Sequence, residues 1–456
     1  MTNGQRIHWV AFWTALTGFS LLVTLLVATW HDFPVPSTDS LEYLAYARSL
    51  HIAGVYAATE AGPAADALPG REPFYSLVIA VLAKLHPTWS AGLKECSPPV
   101  DACAHSLQFL KFANAVFLAL AAVIAGGIAQ ALCGSRLAAI VATSYLNLNF
   151  AMWRDLKYVL SDYLAVLLTA IAVLCLFLAL RRASHLRNWI GFGLALALLV
   201  LTKQVFLFFA LLLAAGLLIY GLFQWKSTWQ SLLPGLSVLA VIALLNGGWL
   251  LRNFAYFGVM NDGRGSIALS LREVFNHMTA AEHAAAFLCF ARPPGPNLAM
   301  RWLPERYWHR FPLMEPDGFY KQGALNHVAR VERLRSQTGV SEAVAQNRAS
   351  GVVVREILAN WVGYLLSMPA VFYRGLWFDA FMPLSLPLFV LPFLWAWRDK
   401  KWSLLIMLSP ALCSLFIYPA ISLNIRRYQI TAVVALAVIA GLVADQLARR
   451  RATRPQ

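Results

Sequence analysis

The chain has 456 residues, of which 59% are hydrophobic and only 13% charged, and its mean hydropathy is +0.60. A soluble core of this size cannot hide that much apolar surface, so a wholly water-soluble fold is excluded and lipid must be the solvent for much of the chain. The formal charge of +15 argues little for nucleic acid, because Lys and Arg are not gathered along one stripe or helix; it reads as a topology signal.

Ten apolar runs predict transmembrane helices in chain order, at 9–30, 112–135, 137–153, 163–180, 188–202, 204–225, 227–251, 380–397, 402–425 and 428–444, since a span takes roughly 20 such residues. The first run lacks a small-residue cleavage pattern and is long for a signal segment, so it reads as a retained span. With Arg6 in the cytoplasm, each cytoplasmic connection carries positive charge: Arg136, then Arg181, Arg182 and Arg187, then Lys226, then Arg398, Lys400 and Lys401, and finally the tail with Arg449, Arg450, Arg451 and Arg454. Two further apolar stretches, 73–83 and 357–373, are short or interrupted by Pro369. Either one crossing would export basic clusters, so both are expected to lie along the outer surface, apolar face down. A twelve-span transporter with poor charge bias is the alternative. The expected fold is therefore an all-α polytopic membrane protein, divided into a first span (1–30), an outer loop (31–106), a helical core (107–251), a large outer loop (252–379), C-terminal spans (380–447) and a basic tail (448–456).

Of six cysteines, Cys133, Cys175, Cys289 and Cys413 have no partner visible in the sequence, and no metal-ligand spacing emerges. Cys96 and Cys103 flank Pro98-Pro99 in the first outer segment, where compartment and spacing predict a disulfide.

Charged residues beside helix ends on the outer face are the functional candidates. Asp39 and Glu42 open a helical pattern running to Gly54, a capping arrangement that does not exclude catalysis by the same carboxylate. Arg71 and Glu72 precede Pro73 at a helix start and can simply pair. Asp162 follows Arg154-Asp155-Leu156-Lys157-Tyr158, where flanking charge at an interface is the plain reading. Lys203 stands alone in a turn between two apolar runs, as a snorkelling lysine or a phosphate ligand. Arg252 ends another run, and Arg426 and Arg427 sit against the positive-inside expectation, which makes them informative. Cations can hold a departing phosphate while a carboxylate takes a proton from an acceptor hydroxyl. No Walker loop, HExxH or Ser/His/Asp signature stands in the sequence.

In order along the chain, these clusters resemble the GT-C glycosyltransferases, especially the bacterial branch related to protein O-mannosyltransferases and lipid A aminoarabinose transferases. Asp39, Tyr43, Ala47, Leu50 and Gly54 are similar to the family's first outer loop, Asp-x-x-x-Tyr-x-x-x-Ala-x-x-Leu-x-x-x-Gly, and Arg71-Glu72-Pro73-Phe74-Tyr75 to its Arg-x-Pro-x-Tyr. Ser161-Asp162, Leu201-Thr202-Lys203 and Trp249 to Gly258 resemble three further motifs, with Gln204 where relatives often carry Pro. The resemblance implies a GT-C-like fold of about ten spans plus interfacial helices in two long outer loops. It also implies a polyprenyl-phosphate sugar as donor, a lipid, glycan or protein acceptor, and the bacterial inner membrane with the active site outside. Asp39 would be the base, with Glu42, Tyr43, Arg71, Glu72, Tyr75, Asp162, Lys203, Arg252, Arg426 and Arg427 binding substrate. Glu42 or Asp162 would hold a divalent cation or only hydrogen-bond. An oligosaccharide ligase or polymerase fits the same motifs, and a secondary transporter fits the spans but not the charges gathered on one face.

Overall fold

A computed structural model of the chain describes residues 3–31, 38–59, 62, 68–95, 107–224, 229–261, 265–291, 295–312, 315–378 and 381–453, and all regular structure among them is helical. Cys96 and Cys103 lie outside the described residues. The remaining cysteines, Cys133, Cys175, Cys289 and Cys413, are free thiols.

The first span is α1 (Asn3–Trp30), followed in the first outer segment by α2 (Thr38–Ala53), α3 (Pro73–Lys84) and α4 (Pro87–Glu95). The core then runs through α5 (Gln108–Cys133), α6 (Arg136–Asn147), the short α7 (Phe150–Asp155), α8 (Asp162–Arg181), α9 (Leu186–Val200), α10 (Phe206–Gln224) and α11 (Leu233–Phe257). Among the described residues the large outer segment holds α12 (Gly265–Glu273), α13 (Ala280–Phe290), α14 (Gly295–Trp302), α15 (Glu305–Trp308), α16 (Phe319–Thr338) and α17 (Glu342–Ala359). The chain closes with α18 (Trp361–Leu376), α19 (Met382–Arg398), α20 (Trp402–Ile421), a 3₁₀ turn at Arg426–Ala432, and α21 (Val433–Ala452).

Among the described residues helices make up most of each predicted apolar run, and seven of these helical segments are long and apolar enough to cross a membrane. The run at 137–153 is not one helix: α6 stops at Asn147, and Asn149 caps the start of α7 by accepting a bond from the Ala151 N–H at 3.1 Å. Trp153 locks the break by donating from Nε1 to the Asn147 carbonyl at 2.6 Å. Of the two stretches expected at the surface, α3 leaves Leu77 and Val81 exposed while burying Tyr75, Ile79 and Ala83. The second, α18, lies across one end of α20: Tyr364 donates to the Ala420 carbonyl at 3.0 Å, and Asn424, just past α20, donates to Val371 at 2.8 Å. Its opposite face exposes Trp361, Val362, Leu365 and Leu366, as an interfacial helix does.

The two ends of the bundle differ in charge. Arg181, at the end of α8, donates to the Ala131 carbonyl at 2.8 Å, and Arg449, near the end of α21, to the Cys133 carbonyl at 2.7 Å. Both cap the C-terminus of α5, where unsatisfied carbonyls attract cations. Asp162 begins α8 and Arg427 precedes α21, so these two residues lie at the opposite end of the same helices, about 30 Å away for a helix of α8's length.

Helices α5, α6 and α21 meet through small residues, since lipid gives no hydrophobic drive and close backbone approach supplies dispersion instead. A Cβ on Gly126 would fall 2.3 Å from the Thr143 hydroxyl oxygen and 2.9 Å from the Ala139 carbonyl oxygen. Gly18, on α1, has nothing within 4 Å. Replacing Gly126 with Val should therefore lower stability by about 1–3 kcal/mol, the usual cost of overpacking, whereas Gly18→Ala should leave it unchanged. Thermal unfolding of the purified variants in one detergent checks this, and equal midpoints would contradict the packing account.

Candidate active site

The site is built where the starts of α2 and α8, the approach to α3, the turn from α9 to α10 and the 3₁₀ turn before α21 converge. Each segment contributes one or two charged groups, and the signs alternate. Arg71 Nε donates to Glu42 Oε2 at 2.9 Å, and the same guanidinium pairs with Asp39 Oδ1 through Nη2. The other oxygen of Asp39 accepts from Arg427 Nη2 at 2.9 Å. Arg427 reaches Asp162 at 3.5 Å through Nε, and Lys203 donates to Asp162 at 2.5 Å. Glu42, Arg71, Asp39, Arg427, Asp162 and Lys203 thus form one chain of ion pairs across residues separated by up to 388 positions.

Burial grades along this chain. The Asp162 side chain is only 2% exposed and Lys203 13%, whereas Asp39 and Arg427 are each 28% exposed. Asp162 and Lys203 anchor the chain in the interior, and Asp39 stands at its accessible part beside Glu42, which is 36% exposed. Burial works against the Arg71 charge, but Tyr43, Asp39, Glu42 and Glu72 outweigh it and hold the guanidinium above its usual range. Desolvation, with Glu72 adding to it, pushes the Tyr43 hydroxyl up, and desolvation does the same to Tyr75. Both phenols are neutral at any physiological pH.

Local structure explains these placements. Asp39 lies in the first turn of α2, where a carboxylate favours the helix dipole, yet its two oxygens serve arginines from distant segments. Gly70, at φ +84°, turns the chain into Arg71, and a Cβ there would strike the Tyr46 ring at 2.2 Å. Glu72 does not join the ion pairs: its Oε1 accepts from the Gln204 N–H at 2.8 Å while the Phe74 N–H donates to the Leu201 carbonyl at 3.0 Å. This reciprocal clasp fixes the turn that holds Lys203 against α3. Tyr43 and Tyr75 pack edge to face with centroids 5.0 Å apart, and the Tyr43 hydroxyl meets Ser161 Oγ at 3.1 Å, tying α2 to the start of α8.

Arg252 is engaged elsewhere. It donates to the carbonyls of Tyr56 at 2.5 Å and Pro69 at 3.2 Å and to Asn253 Oδ1 at 2.9 Å, with the rings of Tyr56, Trp249, Tyr256 and Phe257 around it. It holds the loop between α2 and α3, whose Tyr56 hydroxyl in turn donates to the Arg71 carbonyl at 2.6 Å. Of the arginine pair, Arg427 faces the carboxylates; the Arg426 side chain is outside the described residues.

Residues that the sequence reading did not single out position Arg427. Asn424 adopts φ +57°, a left-handed conformation that Asn tolerates better than most residues, and its side-chain Oδ1 accepts from Gln429 Nε2. An Asn before an arginine pair at a helix end was the available signal. Among the described residues no three His, Cys, Asp or Glu side chains come together as metal ligands. Asp39, Glu42 and Asp162 are each paired with a guanidinium or ammonium.

An all-helical bundle of many apolar segments, with a chain of alternating charges at one end, defines a polytopic membrane protein with a polar site at its helix ends. Residues 73–254 match the family described as dolichyl-phosphate-mannose-protein mannosyltransferase, which bears out the resemblance to GT-C glycosyltransferases. Asp39, Arg71 and Arg427 lie outside the matched stretch and join it through their ion pairs. No curated protein sequence matches the chain. Among solved structures, the chain is similar to the oligosaccharyltransferase AglB of Archaeoglobus fulgidus in complex with an inhibitory peptide and a dolichol-phosphate, at 14% identity over 97% of this chain and 52% of that one, with a TM-score of 0.48. It is also similar to ArnT of Cupriavidus metallidurans in the apo state, at 13% identity over 97% and 78%, with a TM-score of 0.36. The chain spans about half the length of the archaeal oligosaccharyltransferase it matches.

The most buried link invites a direct test. Lys203→Ala would leave Asp162 with only the longer contact to Arg427, and breaking a buried pair costs about 3–5 kcal/mol. Adding Asp162→Asn should recover much of that loss. Thermal unfolding of the two single variants and the double variant measures the coupling, and additive effects would contradict the pairing.

Proposed function

We propose that this protein is a membrane glycosyltransferase that moves a sugar from a polyprenyl-phosphate donor to an acceptor hydroxyl at the outer, periplasmic-type face. The observation that carries the reading is the chain of ion pairs with a partly accessible Asp39 flanked by Arg71 and Arg427. The family match over 73–254 supports the donor class, since its description names a dolichyl-phosphate sugar. The basic ends of α8 and α21, remote from the site, support the outer face by the positive-inside rule.

In this mechanism the donor phosphate takes up guanidinium donors of Arg427 and Arg71, with Lys203 behind them adding charge through Asp162. Charge-assisted bonds of this kind are the strong ones, and arginine presents them as a planar fork. The acceptor hydroxyl attacks the anomeric carbon as the bond from that carbon to the phosphate oxygen breaks. The bonding pair leaves with polyprenyl phosphate, whose growing negative charge the cations stabilise. The hydroxyl proton passes to Asp39, and a single displacement inverts the anomeric centre. Glu42 keeps Arg71 oriented while Asp39 reacts. Tyr43 and Tyr75 hold α2 and α3 behind the charges, and Glu72 and Arg252 fix the loops that present Lys203 and Arg71.

Asp39→Asn keeps the side-chain shape and one accepting oxygen but cannot take a proton. Transfer from a polyprenyl-phosphate sugar should fall about 10²–10⁴-fold, the usual range for losing such a group, while the protein inserts and purifies normally. Retention of more than about a tenth of turnover, well short of that range, would move the base to another carboxylate.

Topology is tested separately. Single cysteines at Glu305 should react with an impermeant maleimide added outside intact cells, and those at Arg182 and Lys400 should not. Labelling at Lys400 from outside would contradict the assigned face.

A further inference from the structure

The large outer segment forms an open cleft of about 730 Å³ that no step of the mechanism uses. It lies within the roughly 300–1,000 Å³ range of small-ligand sites, but such sites are usually lined mostly by apolar groups. Here the lining is nearly all charged or amide side chains, with Val274 and Ala359 as the apolar exceptions.

Most of its charged side chains already have a polar partner. Arg330 donates to Glu356 at 2.5 Å and pairs with Glu273 at 3.4 Å, and His277 meets the other Glu273 oxygen at 2.7 Å. Arg310 pairs with Glu282 at 2.9 Å and Asp317 with His309 at 2.8 Å. A charged ligand would compete with these pairs, and Glu273 is buried, where an unpaired charge is costly. A neutral ligand need not, because a paired carboxylate keeps lone pairs for hydroxyl donors. Gln322 and Asn326, one turn apart on α16, add amides that both donate and accept. The wall is built rather than incidental: Gly323 lets α16 press onto α12, since a Cβ there would fall 2.9 Å from Leu271 Cα.

We infer that this cavity binds a neutral, hydroxyl-rich saccharide and that the saccharide is the sugar portion of the acceptor. The acceptor role rests on the transferase reading; the affinity for saccharide does not. The cavity is tied to the active-site end of the bundle by Arg272, next to Glu273. Its fully buried guanidinium donates to the Pro419 carbonyl at 2.7 Å, in the last turn of the helix that leads to Arg427.

The test is saturation-transfer difference NMR on the full chain in nanodiscs. The probes are neutral trisaccharides of glucose, mannose and N-acetylglucosamine, a galacturonate trisaccharide, and a capped Gly-Thr-Ser-Gly peptide. At least one neutral trisaccharide should bind at millimolar concentration, and at least tenfold more weakly in Gln322→Ala and Asn326→Ala. Gln322 and Asn326 are partly exposed, and each variant is checked for an unchanged unfolding midpoint. Binding of none of the neutral probes, of the acidic probe alone or of the peptide alone would overturn the proposal, the last in favour of a peptide acceptor. If neutral saccharide binds at these residues but Asp39→Asn leaves transfer intact, the transferase reading and the acceptor role fall while the saccharide site stands. If transfer depends on Asp39 but no neutral saccharide binds, only the cavity proposal fails.

Discussion

The ion-pair chain from Glu42 to Lys203 is the constraint on which the rest of the outer end depends. Charges at helix ends beside a membrane can stay only where they find partners or water, and here each finds a partner of opposite sign on a different segment. Losing Arg427 would leave Asp39 and Asp162 each short of one cation. The packing around the chain serves to hold its members in register: the clasp between Glu72 and Gln204, the Tyr43–Tyr75 contact, and the loop gathered around Arg252. A site so preorganised presents donors to a phosphate at little cost in reorganisation, the condition under which electrostatic stabilisation of a leaving group is most effective.

The bundle itself is held by a different kind of contact. In lipid the close approach of α5, α6 and α21 rests on residues without bulk, such as Gly126 and Gly441, whose added Cβ atoms would collide with a hydroxyl or backbone carbonyl oxygen on a neighbouring helix. That rigidity matters to the site because α8 packs against α5, and Asp162 opens α8. Small-residue packing therefore sets where the buried carboxylate stands.

Much of the fold was legible because its cause is local. Apolar length predicts helices regardless of tertiary context, and among the described residues most of each of the ten runs is helical. The break between α6 and α7 was missed because Asn147 and Asn149 sit in an otherwise apolar run, and a capping Asn is read as a stop only when its neighbours are polar. The candidate residues were picked as separate clusters; their pairing was not legible. That Arg427 faces the carboxylates was not legible either, since the turn before it includes the left-handed Asn424 with its bonds to Val371 and Gln429. That Arg252 and Glu72 hold loops while Lys203 joins the ion pairs follows from the positions of carbonyls and amides that periodicity does not encode. The polar cavity was invisible for the same reason, since α12, α16 and α17 meet only in the folded outer segment.

The central claim is that the cations at the outer end form a phosphate site for an isoprenoid donor. Its most direct test compares the binding of decaprenyl phosphate and decaprenol to the purified chain and to Arg427→Ala in nanodiscs. The account predicts that the phosphate binds at least tenfold more tightly than the alcohol, that added salt narrows the difference, and that Arg427→Ala removes most of it. Equal affinity for the two lipids, or a preference untouched by the substitution, would contradict it.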